Sequence, residues 1–156
     1  MSGSIDRVVA AAQAAGLPID VRRMGESTRT AEDAAAMCGC AVGQIVKSLI
    51  FLGKDSERLY LFMVAGNHRL DAAKAAALAG EPLIRADPRL VRDKTGFAIG
   101  GVSPIGHLID IQAYADETLL TYPVVWAAAG AHDAVFSAAP AALIAAAGAI
   151  VADLAE

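Results

Sequence analysis

Lys47 stands among apolar neighbours in the run Gln44-Ile45-Val46-Lys47-Ser48-Leu49-Ile50-Phe51. Strand alternation puts Ile45, Lys47, Leu49 and Phe51 on one face. An ammonium beside three large apolar side chains is costly to bury unless something anionic meets it. The residue therefore has the character of a site lysine, suited to a phosphate, a carboxylate or a polarised carbonyl. A lysine that snorkels to the surface along its aliphatic stem is the competing reading, and the residues alone leave both open.

The second concentration of chemistry is Thr95-Gly96-Phe97-Ala98-Ile99-Gly100-Gly101-Val102-Ser103-Pro104-Ile105-Gly106, with four glycines and one proline in twelve residues. Such a segment has an unusual, fairly fixed backbone and lets a ligand approach main-chain N–H and C=O groups closely. It lacks the terminal Gly-Lys-Ser/Thr of a phosphate-binding P-loop. A purely structural turn between strands is the alternative. His68, His107 and His132 complete the titratable candidates, and none has metal-pair spacing. No nucleophile elbow or paired-carboxylate signature is present. Cys38 and Cys40 are too close to close a useful loop and lack zinc-finger partners, so small core or turn residues are expected there. Nothing suggests a metal or organic cofactor.

The elements that must hold these residues follow from periodicity and punctuation. Ile5 to Ala15 has helical spacing and stops at Gly16-Leu17-Pro18. A second helix begins near Thr30 and ends at Gly39, with Glu32 and Asp33 in its first turn. A third runs from about Asp71 to Leu78 and closes at Gly80. Asp87-Pro88 should open a short helical turn, Asp116-Glu117 should cap another, and a last helix covers Pro140 to Ala147. Ile45 to Leu52 and Leu59 to Ala65, separated by Gly53-Lys54-Asp55-Ser56, make a hairpin. Shorter strands are expected at Leu83 to Ala86, Phe97 to Ile99, His107 to Ile111, Val124 to Ala128, Ala134 to Ser137 and Ile150 to Ala152. Without regular βαβ repetition, this mixture points to an α+β fold with a largely antiparallel or mixed sheet.

The 156 residues suit one domain spanning 1–156, and 56% hydrophobic against 19% charged residues exclude a disordered chain. No targeting segment is visible, and the longest apolar stretch, Ala138 to Ala152, is interrupted by Pro140 and Gly148, so a cytoplasmic protein without a membrane partner is expected. The net charge of −4 argues against a generic nucleic-acid coat. Its distribution is more telling: all 13 Lys and Arg lie between Arg7 and Lys94, and six acids follow with no Lys or Arg. A phosphate backbone would have to meet the first two-thirds of the chain.

Three segments resemble the YbaK/EbsC-type aminoacyl-tRNA editing domains, free-standing relatives of the prolyl-tRNA synthetase insertion domain. They are Val46-Lys47-Ser48-Leu49-Ile50-Phe51, Ala65-Gly66-Asn67-His68-Arg69 and Gly100-Gly101-Val102-Ser103-Pro104-Ile105-Gly106. The likeness runs from Thr30-Ala31-Glu32-Asp33-Ala34-Ala35 to Ala128-Ala129-Gly130. It implies a compact α+β fold with a mixed, curved, barrel-like sheet flanked by helices, and deacylation of mischarged tRNA, usually tRNA(Pro) carrying Ala or Cys. The family's invariant lysine falls on Lys47, and its glycine–proline loop on Gly100, Gly101, Ser103 and Pro104. Thr30, Asn67, Thr95, Gly130 and His132 follow as substrate-pocket residues. With no synthetase region in the chain, action in trans is expected, with the tRNA acceptor end as partner and transient association with a synthetase as a further possibility. Arg22, Arg23, Arg29, Arg69, Arg92 and Lys94 are the candidate RNA contacts. A non-catalytic tRNA- or nucleotide-binding module and a small-ester hydrolase are the alternatives from other classes.

Overall fold

The computed structural model describes residues 3–25 and 30–156. Five short helices frame two sheets. Helix α1 (Gly3–Ala14) buries Val8 and Ala12. In α2 (Ala31–Cys38) the Thr30 hydroxyl accepts the Asp33 N–H at 3.0 Å. The Asp71 carboxylate likewise caps α3 (Ala72–Ala79), and Asp87 caps α4 (Pro88–Thr95), which has proline in its first turn. Such caps satisfy N–H groups that the helix cannot. Helix α5 is Pro140–Ala147.

The central strand pair is β2 (Val46–Gly53) and β3 (Leu59–Ala65), antiparallel from Val46 against Ala65 to Leu52 against Leu59. Around it the five-stranded sheet runs β4-β2-β3-β5-β8, with β4 at Leu83–Arg85, β5 at Gln112–Asp116 and β8 at Ile150–Ala152. β3–β5 and β5–β8 are parallel, so the sheet is mixed. A second, three-stranded antiparallel sheet is ordered β1 (Arg22–Arg23), β7 (Ala134–Ala138), β6 (Val125–Ala128).

β3 is buried on both faces. Leu59, Leu61, Met63 and Ala65 join the main core with Val8, Phe97 and Phe136. Tyr60, Phe62 and Val64 join a smaller one with Ala75, Tyr114 and Leu154. Each fully buried large side chain, such as Leu61, Phe62 or Met63, contributes about 1.5–3 kcal/mol.

The α+β class and the mixed sheet agree with the sequence reading, but the expected barrel-like closure is corrected. The two sheets meet through one parallel bridge, Ile45 to Trp126, and β8 leaves an open edge. Two expected strands are also absent. Phe97 to Ile99 is loop because Gly96 and Gly100 both take positive φ, 83° and 97°, and turn the chain out of an extended path. His107 to Ile111 lies just before β5 without a partner strand.

Candidate functional site

Lys47 sits near the start of β2, half-buried, at a cavity of about 350 Å³. The cavity lies between α2, β2, the glycine loop and the second sheet. Thr30, Ala31 and Ala34 wall one side, Gly100 and Val102 another, and Trp126, Ala131 and His132 a third. Most of the wall residues are therefore small or apolar, and Lys47 is the charged one.

The Lys47 Nζ donates to the His68 carbonyl. That carbonyl is brought there by the loop after β3. Gly66 allows the approach: a Cβ there would lie 2.3 Å from the Val42 carbonyl oxygen, so no side chain fits. The loop is then fastened by Asp116 at the end of β5. Its Oδ2 accepts the Ala65 N–H at 3.1 Å and contacts His68 Nδ1 at 2.8 Å, while Oδ1 accepts the Thr118 N–H at 2.9 Å. The Asp116 side chain is only 1% exposed. Burial alone would raise its pKa, but the hydrogen bonds from Thr118, His68 and Ala65 together hold it below the ordinary value. Burial lowers the Lys47 pKa; Glu32 pulls it back up and Arg69 pushes it further down.

The glycine loop faces Lys47 across the cavity. Gly101 is buried, and an added Cβ would meet the Ala131 backbone at 3.0 Å, which clamps the loop against the turn before β7. Ser103 and Pro104 are buried beneath, and the Ser103 Oγ accepts the Ile105 N–H at 3.2 Å. Behind them His107 packs edge-on to Phe97, ring centroids 5.1 Å apart. Burial lowers the His107 pKa to about 4, against a smaller opposing pull from the Ser103 backbone.

Of the residues singled out from the sequence, Lys47, Gly100, Thr30 and His132 meet at this cavity. Gly101, Ser103 and Pro104 support its loop without being wall residues. Thr95 is fully buried, and its hydroxyl is committed to the Val91 carbonyl at 2.6 Å and the Phe97 N–H at 3.1 Å. Asn67 lies exposed beside Gly43, and Gly130 is packed against the Ser4 carbonyl, so neither reaches the wall. Among the candidate RNA contacts, Arg22 lies over the Trp126 ring at 5.1 Å and Arg23 is paired with Asp133 at 3.0 Å. Arg69 is close enough to affect Lys47 electrostatically. Arg92 and Lys94 are in the last turn of α4, and Lys94 lines a separate depression with Arg58, Asp110 and Gln112. Arg29 lies outside the described residues. Sequence reasoning missed Ser48, Trp126 and Val135 as wall residues and Asp116 as the loop's anchor. Trp126 alone carried a signal, as the single tryptophan of the chain.

Cys38 and Cys40 are half-buried free thiols whose pKa values burial raises. Among the described residues no group of three or more His, Cys, Asp or Glu is placed to hold a metal ion. Nor is any described helix long and apolar enough to cross a membrane.

The model of the aminoacyl-tRNA editing domain matches residues 25–146. This chain belongs to that family. The editing domain also superimposes on a solved structure provisionally described as a trans-editing enzyme for prolyl tRNA synthetase, with TM-score 0.92 and 51% identity over 100% of this chain and 99% of that one. It is 31% identical over 94 residues to the proline–tRNA ligase of Methylobacillus flagellatus, covering 58% of this chain but only 16% of the ligase. It is 28% identical over 120 residues to EbsC of Enterococcus faecalis, provisionally named a Cys-tRNA(Pro)/Cys-tRNA(Cys) deacylase, covering 76% and 73% of the two chains. The editing domain thus resembles both a segment of a synthetase and chains of its own size.

Proposed function

We propose that this chain hydrolyses the ester joining a small, wrongly chosen amino acid to the 3′ end of a tRNA, acting in trans, with Ala or Cys on tRNA(Pro) as first substrates. The observation that carries the reading is the half-buried Lys47 ammonium at a small apolar cavity faced by the glycine loop. An aminoacyl ester is already activated, so positioning and charge stabilisation can replace a side-chain nucleophile. Water adds to the ester carbonyl, the acyl–oxygen bond breaks, and the ribose oxygen leaves with a proton. Free amino acid and intact tRNA result.

Lys47 supplies positive charge to the ester oxygen or the adjoining phosphate. Main-chain groups of Gly100 and Gly101 orient the ester and the water. Ala31, Ala34 and Ala131 leave room for a small side chain, while Trp126 and Val135 bound it, which makes the cavity a sieve. The provisional names of the relatives support Cys as the amino acid and tRNA(Pro) as the carrier. Among the described residues, Arg22, over the Trp126 ring, and Arg69, within electrostatic reach of Lys47, are candidate cations for the acceptor end, and binding through them weakens with salt.

The test is deacylation of a panel of mischarged tRNAs, beginning with Ala-tRNA(Pro) and Cys-tRNA(Pro), by wild type and Lys47→Ala. Turnover abolished by the substitution is the expected result. Saturable tRNA binding without turnover on any member would instead identify a non-catalytic binding module.

A further inference from the structure

A second, larger cavity of about 740 Å³ adjoins the first, walled by Phe51, Arg85, Ala86 and Pro88 on its far side. The two share Ser48, Leu49, Ile99, Gly100 and Val102, so the glycine loop stands between them and one ligand can span both. The larger cavity exists because β2 loses its neighbour. β4 pairs with β2 only from Gly53 back to Phe51, and the bridge to Trp126 lies at Ile45. Between those points no described strand flanks that edge.

The hydrogen-bonding direction along this edge follows from the hairpin end. The Gly53 N–H donates to the Arg58 carbonyl, on the β3 side, at 2.8 Å, and the Lys54 N–H to the Pro82 carbonyl, on the β4 side, at 2.9 Å. Alternation therefore points the main-chain N–H and C=O of Ser48 away from β3, toward the open edge. The Ser48 Oγ is buried and has no hydrogen-bond partner. Ser48 thus combines an edge-facing main-chain donor and acceptor with a buried hydroxyl that has no partner, a group that in a folded protein calls for an explanation. At the mouth, Arg85 is exposed, and its guanidinium makes no hydrogen bond or ion pair among the described residues.

Every tRNA ends in adenosine, and the amino acid is esterified to that nucleoside's own ribose. A purine must therefore lie one sugar away from the aminoacyl group. We infer that the larger cavity seats this terminal adenine, its adjacent ring nitrogen and amino group pairing with the N–H and C=O of Ser48, with Arg85 on the path of the preceding phosphate. The inference rests on the editing reading above and extends it from the amino acid to the nucleoside. A main-chain edge is a suitable reader, because adenine presents neighbouring acceptor and donor groups that hypoxanthine presents in reversed order.

The experiment compares single-turnover deacylation of Ala-tRNA(Pro) ending in adenosine with the same RNA ending in inosine, using the intact protein. The inosine end should lower kcat/KM by roughly tenfold or more, the range expected for one mismatched bidentate contact to a base. Arg85→Ala should raise KM for both RNAs while leaving kcat and the preference for adenosine unchanged. Titration with AMP should shift the Ser48 amide resonance, and inosine monophosphate should not. Turnover indifferent to the terminal base, or an unmoved Ser48 amide with AMP, overturns the adenine seat and leaves the editing reading standing. Absence of deacylation with either RNA, whether charged with Ala or with Cys, overturns the editing reading and the seat together.

Discussion

The two halves of β2 are built on opposite plans. From Phe51 to Gly53 the strand is flanked by β3 on one side and β4 on the other. The turn beyond is held by Glu81, which accepts the Asp55 and Ser56 N–H groups and the Ser56 and Tyr60 hydroxyls at 2.6–3.0 Å. From Val46 to Ile50 the same strand carries a desolvated ammonium, an unpartnered hydroxyl and an open edge between two cavities. The closed half spends its polar groups on itself. The open half keeps them available, at a cost in stability that a folded chain bears mainly where a ligand repays it.

The largest expected effect is at the open half. Lys47→Met should lower deacylation by about 10²–10³-fold, the cost of losing one preorganised electrostatic contact, yet the melting temperature should hold or rise. The pH dependence checks this independently. Burial lowers the folded pKa of Lys47, so the ammonium opposes folding and stability should increase as pH rises through that lowered pKa toward the unfolded value. Lys47→Met should remove this alkaline gain, measured by denaturant unfolding. A marked loss of stability in the variant would place Lys47 with the closed half.

The glycine loop tests the wall facing that lysine. The His107 ring stays neutral in the folded state down to about 4, whereas the unfolded chain protonates near 6.5. Stability should be complete above pH 6.5 and fall by up to roughly 3 kcal/mol as pH drops toward 4. His107→Phe should flatten that window, as seen by thermal unfolding across pH. Asp116 comes next. Asp116→Asn leaves its size intact but weakens three contacts, two of them to Ala65 and His68 at the loop that holds Lys47, so a stability loss of about 1–3 kcal/mol is expected. Because Asp116 acts through the His68 loop, kcat should fall more than KM changes. A variant that loses stability with undiminished kcat would reduce Asp116 to a structural residue.

What was legible in the sequence was local. Thr30, Asp71 and Asp87 announced helix starts because a cap needs only a side chain and the next three N–H groups. The β2–β3 hairpin was visible in its branched residues and the Gly53 turn. β5 was not visible: Gln112-Ala113-Tyr114-Ala115-Asp116 is extended because β3 and β8 pair with it in parallel, which is a property of distant segments. The same divide runs through the site. Lys47 betrayed itself by standing among apolar neighbours, and the glycine loop by its composition. The His68 carbonyl and the Asp116 carboxylate gave no such sign, being ordinary groups made important by contacts across 21 and 48 residues. Thr95 entered through the resemblance alone, and its hydroxyl serves the end of its own helix.

The smallest effect belongs to the closed half, and it separates the two plans most cleanly. Hydrogen bonds from the Ser56 and Tyr60 hydroxyls hold the Glu81 carboxyl down to about 2. A depressed carboxyl adds stability above its unfolded pKa, and that contribution fades as pH falls toward the folded value. Glu81→Gln keeps one amide oxygen as acceptor and loses the charge, so the melting temperature should drop by only a few degrees at neutral pH. The gap between wild type and variant should narrow in acid. Deacylation should be unchanged, because the hairpin end neither lines the Lys47 cavity nor touches the His68 loop. A Glu81→Gln protein with impaired turnover would mean that order in the closed half is transmitted along β2 to Lys47, and the strand would then be one unit rather than two.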